Sequence, residues 1–147
     1  MTLSRAELRS WLKLVRGVVG LLDALDGRLR IEAGISHDDY LILSRLHREP
    51  HRTLRMSDLA REIGHSPSRL SHAVSRLEAE GWVERSRGGR DRRVVEARLT
   101  IEGVARVGEA STAHFDQIKE LVFGTLGAER ARETADALDQ IRRAAGG

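Results

Sequence analysis

The sequence predicts a mainly helical fold with a small β wing, arranged as a winged helix-turn-helix flanked by long N- and C-terminal helices. Both ends of the 147-residue chain carry apolar residues at helical spacing. Between them, Ser57–Leu99 contains two short helical patterns separated by Gly64 and then two alternating stretches around a Gly-Gly turn. A chain of this length forms about one domain with its own core.

The N-terminal third is predicted to contain two helices. The first covers Leu3–Ile31, an amphipathic stretch in which Ser4 and Glu7 have the spacing of a capping box. Ser36 is the expected N-cap of the second helix, His37–Arg48, because a Ser hydroxyl accepts hydrogen bonds from the first free N–H groups of a helix.

The centre of the chain predicts a short strand and a pair of helices. Leu54–Met56 is long enough for one small strand, and Ser57–Ile63 forms the third helix. The chain restarts at Ser66, an N-cap, and at Pro67, which suits the first helical position. This fourth helix extends to about Glu80, where a glycine follows.

The remaining segments predict a β-ribbon and two closing helices. Alternating residues favour strands over Trp82–Ser86 and Val94–Leu99. A fifth helix is expected over about Thr100–Phe123 and a last one over Ala128–Ala144, with a break at Gly124–Gly127.

Composition limits the possible functions. The absence of cysteine excludes disulfides, thiolate metal sites and thiol redox switches. The opening MTLSRAELRSW has no apolar signal core, and charges interrupt the apolar stretch Trp11–Leu25, so we expect a cytoplasmic protein without a membrane partner. Net charge is only +3, but between Arg52 and Arg98 eleven arginines oppose seven acids, so the positive surplus is local.

The fourth helix has one apolar and one polar face. Leu70, Ala73, Val74 and Leu77 share the face expected to pack on the core. Small hydroxyls allow close approach to a DNA groove, and Arg can span the two acceptors of a guanine. The polar face could equally be an ordinary solvated surface. The DNA-binding candidates of this recognition helix are Ser66, Ser68, Arg69, Ser71, His72, Ser75 and Arg76.

The predicted ribbon concentrates positive charge. Five arginines with a single opposing acid repel one another unless a polyanion is the partner, whereas a merely soluble hairpin predicts mixed charges. A narrow minor groove attracts arginine. The wing candidates are Arg85, Arg87, Arg90, Asp91, Arg92 and Arg93.

Residues Met56–Gly103 resemble the MarR family of winged-helix regulators. The resemblance rests on SDLAREIGHSPSRLSHAVSRLEAEGWVER, then GGRDRR, then LTIEG. It implies that Asp91 orients Arg93 and that Arg93 enters the minor groove. The tip departs from many relatives, which have Asp-Pro where this chain has Gly88-Gly89, and this implies a more flexible tip.

The resemblance covers nearly the whole chain and implies one domain over 1–147, with a DNA-binding lobe at 35–99 and dimerisation helices at 1–33 and 100–147. A homodimer would read a pseudo-palindromic operator, because twofold symmetry repeats the recognition helix. The alternative use of the same apolar residues is a larger monomer core. The interface candidates are Leu3, Leu8, Leu12, Phe115, Ile118, Leu121, Val122, Leu138 and Ile141.

The family resemblance also implies a small-molecule effector, often phenolic, between the dimerisation region and the winged helix. The alternative is that these residues pack in the core, which the helical spacing of large apolar residues favours. We predict no cofactor and no metal site, because no two histidines have i, i+4 spacing on one predicted helix. The effector candidates are Trp11, Val15, Tyr40, Leu43 and His47.

The sequence therefore predicts a DNA-binding transcriptional regulator, specifically a repressor under effector control. No nucleophile–base pair, phosphate loop or catalytic carboxylate pair indicates an enzyme. The alternative function is a winged-helix protein-interaction module without specific DNA binding.

Overall fold

A computed structural model describes residues 2–88 and 93–146 of the chain. It confirms the predicted fold class, since helices dominate and one small antiparallel sheet forms the wing. The elements in chain order are α1 (Arg5–Ala33), α2 (His37–His47), β1 (Thr53–Arg55), α3 (Met56–Ile63), α4 (Pro67–Ala79), β2 (Val83–Arg87), β3 (Val95–Leu99), α5 (Ile101–Ile118), a π-helical segment (Lys119–Gly124) and α6 (Thr125–Ala144).

Side-chain caps start four of the helices. Ser4 and Glu7 form the predicted capping box of α1. Ser36 caps α2, Ser66 caps α4 and Thr100 caps α5, each by accepting a hydrogen bond from a backbone N–H three residues on. These local bonds explain why the sequence predicts the four starts to within two residues.

The C-terminal third differs from the prediction. A continuous fifth helix to Phe123 is wrong, because the α-helix ends at Ile118 and a π-helical segment follows. Apolar spacing does not distinguish a π-turn from an α-turn over so short a stretch. The break predicted near Gly127 is confirmed: this residue has φ 73° and ψ 165°, which interrupts α6.

The wing is a three-stranded antiparallel sheet in the order β1-β3-β2. In its register Val83 lies opposite Leu99, and Arg85 lies opposite Ala97. Val83, Ala97 and Leu99 are buried, so the base of the wing belongs to the core.

One hydrophobic core joins the winged helix to its flanking helices. It contains all four predicted apolar residues of α4, and it continues into the last turns of α1 through Leu29 and into α5 through Val107. Arg106 reinforces this junction, since its guanidinium donates to the carbonyl of Ala33 and lies 5.1 Å from the centre of the Trp82 ring.

The terminal helices leave much apolar surface uncovered. Trp11 is 55% exposed, and a groove of about 620 Å³ runs between α1, the π-helical segment and α6. Within residues 2–88 and 93–146, no helix has both the length and the apolar character needed to span a membrane.

Candidate nucleic-acid interface

The structure places the predicted recognition-helix residues on one side of α4. Leu70, Ala73, Val74 and Leu77 are at most 2% exposed and fix this helix against the core. The side chains on the opposite side face solvent, apart from the half-buried Ser71. The exposed candidates are Ser66, Ser68, Arg69, His72, Ser75 and Arg76.

Both arginines of this set are paired with acids that the sequence analysis did not single out. The Arg69 guanidinium donates to Asp38, and the Arg76 Nη2 lies 3.1 Å from the Asp39 carboxylate. Both acids belong to the first turn of α2, where acids are common because they favour the helix dipole. No sequence spacing connects partners that are 31 and 37 residues apart.

Arg85 joins the wing to the recognition helix. Its backbone N–H donates to Glu78 Oε1 at 2.9 Å, and its side chain donates to Glu78 Oε2 at 2.8 Å. The same guanidinium reaches the hydroxyls of Ser71 at 3.3 Å and Ser75 at 2.9 Å. This position gives Arg85 a bridging role that the sequence analysis did not predict, and its predicted contact with DNA stays a prediction.

The bridge changes the acidity of Glu78. Partial burial favours the neutral carboxyl, but the hydrogen bonds and positive charge of Arg85 outweigh this effect and hold the pKa of Glu78 below its ordinary value. The carboxylate therefore remains ionised and continues to bind Arg85 under mildly acidic conditions.

The tip of the wing is only partly described. Arg87 ends β2 and is exposed, and Arg93 is exposed at the other side of the tip. Three further wing candidates, Arg90, Asp91 and Arg92, lie outside the described residues. The orientation of Arg93 by Asp91 therefore stays a prediction.

The arrangement of these parts agrees with known regulators. The family model that describes the MarR family matches residues 33–94 of the sequence, from the end of α1 to the residue before β3. The structure of Sco3205 from Streptomyces coelicolor, a MarR family transcriptional regulator in complex with DNA, has a TM-score of 0.94 and 33% identity, covering 98% of this chain and 91% of Sco3205.

The chain belongs to the MarR family. A second MarR family regulator of Streptomyces coelicolor, AbsC, has a TM-score of 0.92 and 29% identity, covering 100% of this chain and 99% of AbsC. YwhA of Bacillus subtilis, an uncharacterized HTH-type transcriptional regulator, is 33% identical over 82 residues, and the match spans 58% of YwhA. MarR family members are transcriptional regulators rather than enzymes.

The effector candidates of this MarR-family chain are divided between two environments. Tyr40 and Leu43 are buried in the core, as the packing alternative predicts, while His47 is exposed at the end of α2. Trp11 and Val15 lie in the N-terminal half of α1, with Trp11 largely exposed. An effector site made of all five residues stays a prediction.

A buried histidine near Tyr40 was missed by the sequence analysis. His114 of α5 is 5% exposed, and its ring lies 4.4 Å from the Tyr40 ring and 5.4 Å from the His37 ring. Burial and the nearby His37 lower the pKa of His114 to about 4. Among the described residues, no cluster of three or more His, Asp or Glu side chains could hold a metal ion.

Proposed function

We propose that this MarR-family regulator binds duplex DNA as a homodimer, with α4 in the major groove and the wing beside the minor groove. The observation that carries the proposal is the polar face of α4, where Ser68, His72 and Arg76 are exposed beside one another while the opposite face is fixed in the core. A rigid helix with short polar side chains and arginines suits direct contact with base edges and phosphates. Sco3205, the similar regulator, was solved with DNA.

The dimer is supported by the apolar surface of the terminal helices. Most interface candidates are exposed, and only Ile118 and Val122 are half-buried. Large apolar side chains left in water favour association, and a contiguous patch of them indicates an interface. The exposed candidates are Leu3, Leu8, Leu12, Phe115, Leu121, Leu138 and Ile141.

We further propose that the regulator is a cytoplasmic repressor released by a small aromatic effector. This part rests on the family resemblance and on the junction between α1, α2 and α5, where Tyr40 and His114 meet. A ligand that moved this junction would change the spacing of the two recognition helices in the dimer, and this spacing sets the fit to the operator.

DNA binding is tested by selecting duplexes from a random-sequence library. The affinity of the protein for the most enriched duplex is then measured by fluorescence anisotropy. The logarithm of the association constant should fall linearly with the logarithm of salt concentration, with a slope of about −0.9 for each phosphate contacted. The selected site should be pseudo-palindromic. The alternative function, a protein-interaction module, predicts no enrichment and no such slope.

A further inference from the structure

Two recognition-helix arginines are held by acids of the neighbouring helix. Arg69 and Arg76 remain 58% and 59% exposed, but the guanidinium of each is bound to Asp38 or Asp39 at the start of α2. We infer that Asp38 and Asp39 form an acid latch, which holds the two arginines in the free protein and competes for them with the phosphate oxygens and base edges of DNA. This inference rests on the proposed DNA binding.

The backbone that carries the acid latch is fixed in place. The backbone N–H of Asp39 donates to the Ser36 hydroxyl at 3.1 Å, which anchors the first turn of α2. The backbone N–H of His37 donates to Asp26 of α1 at 2.9 Å, so the same turn is tied to the N-terminal helix. Because the backbone of this turn is anchored and aspartate side chains are short, the carboxylates cannot follow the arginines toward DNA, and each ion pair must break when its arginine leaves.

The buried imidazole ring of His65 also lies close to Asp38. The His65 side chain, in the turn between α3 and α4, is 4% exposed, and its Nε2 lies 3.6 Å from the Asp38 oxygen that also binds Arg69. Asp39 is itself recessed, with its side chain 16% exposed. Asp39 thus lies beneath Arg76, whereas the Asp38 side chain is 38% exposed. The guanidinium groups of both arginines remain accessible to a competing anion.

A carboxylate and a phosphate oxygen compete for the same guanidinium donors. An exposed ion pair is weak, so DNA that offers several phosphates can displace it, and each pair should reduce DNA affinity by about two- to fivefold. The exchange also changes the salt dependence. A carboxylate left unpaired takes up a cation, which cancels part of the counterion release that an arginine–phosphate contact produces.

The test compares the wild-type protein with the double variant Asp38→Asn/Asp39→Asn on a fluorescein-labelled duplex that the wild-type protein selects. The double variant should bind about five- to tenfold more tightly and show a steeper salt slope. Asp58→Asn is the control, because it removes one charge from the same lobe but pairs with Arg61 outside the latch. It should change the affinity less than twofold.

A second comparison separates the latch from general charge repulsion. In a chain that carries Arg69→Gln, adding Asp38→Asn should leave the affinity unchanged, because Asp38 then has no arginine to hold. A gain that persists in this background would overturn the inference, as would Asn variants that bind no more tightly than wild type. A wild-type protein that binds no duplex would overturn the proposed function and the inference with it.

Discussion

Glu78 of the recognition helix and Arg85 of β2 form a two-sided contact, in which one carboxylate accepts both the backbone N–H and the guanidinium of the arginine. The closest approach, from Arg85 Nη2 to Glu78 Oε2, is 2.6 Å. Because the strand backbone itself takes part, the contact fixes the direction in which β2 leaves α4. The orientation of the wing relative to the recognition helix therefore depends on this pair.

Glu78→Gln should lower the free energy of unfolding by about 1 kcal/mol at pH 7, since it removes a half-buried charged hydrogen bond. The pKa of Glu78 is lowered in the folded state, so its stabilising contribution is present above the ordinary pKa of Glu and is lost as the pH falls through the lowered value. Urea unfolding at pH 7 and pH 3 should show that the difference in stability between wild type and Glu78→Gln is smaller at pH 3.

Glu80→Gln is the matched control for this prediction, because Glu80 is exposed two residues further along. It should leave the unfolding curve nearly unchanged at both pH values. An equal loss for both variants would show that the Arg85 contact does not stabilise the fold.

Gly103 provides a test of how α5 packs on the base of the wing. A methyl group at this position would come within 2.2 Å of the Trp82 carbonyl oxygen and 2.6 Å of the Leu99 side chain. Gly103→Ala should therefore destabilise the protein by about 2 kcal/mol, as overpacking does. Gly108→Ala, in the same helix with open space around it, should stabilise by up to about 1 kcal/mol. Thermal unfolding that ranks the two variants in the opposite order would refute this packing.

His114 should make stability depend on pH. Its pKa is about 4 in the folded protein, so the unfolded chain binds more protons between that value and the ordinary pKa near 6.5. Stability is then lost as the pH falls, and His114 alone should account for about 2 kcal/mol between pH 7 and pH 5. His37 has a pKa lowered by burial and adds to the loss in the same direction.

Urea unfolding of His114→Gln at pH 7 and pH 5 checks this prediction. The variant should lose less stability than wild type over that interval, because Gln does not titrate. His51→Gln, at an exposed position outside the cluster, should keep the wild-type dependence. An identical pH dependence in wild type and His114→Gln would exclude His114 as its source.

The proposed dimer predicts a clear effect of charge at the terminal helices. Leu12→Glu should convert the dimer to a monomer at micromolar concentration, because an unpaired carboxylate would be buried in the interface. Ile101→Glu is the control, since Ile101 is 80% exposed at the first residue of α5 and is not one of the interface candidates. Sedimentation velocity should show a lower sedimentation coefficient, that of a monomer, for Leu12→Glu only.

The sequence predicts those parts of the fold that depend on neighbouring residues. The two faces of α4 follow from the spacing of Leu70, Ala73, Val74 and Leu77, and the caps at Ser36 and Ser66 follow from bonds three residues long. For the same reason the sequence predicts which residues of the recognition helix are buried and which form its polar face.

Contacts between distant parts of the chain were not predictable. Asp38 and Arg69 are brought together only when α2 and α4 pack, and the contact of Glu78 with Arg85 depends on the register of the wing. His114 was missed because a single histidine on an amphipathic helix carries no spacing signal. The π-helical segment was missed because its apolar pattern is that of an ordinary helix.

The central claim is that the exposed face of α4 reads DNA. The most direct measurement is the base preference, obtained by selection from a random duplex library, of the wild-type protein and of the triple variant Ser68→Ala/His72→Ala/Arg76→Ala. We predict that the variant, folded and dimeric like wild type, loses the preference at several positions of each half-site, at about 1–3 kcal/mol for each lost bidentate base contact. An unchanged preference at every position would contradict the claim.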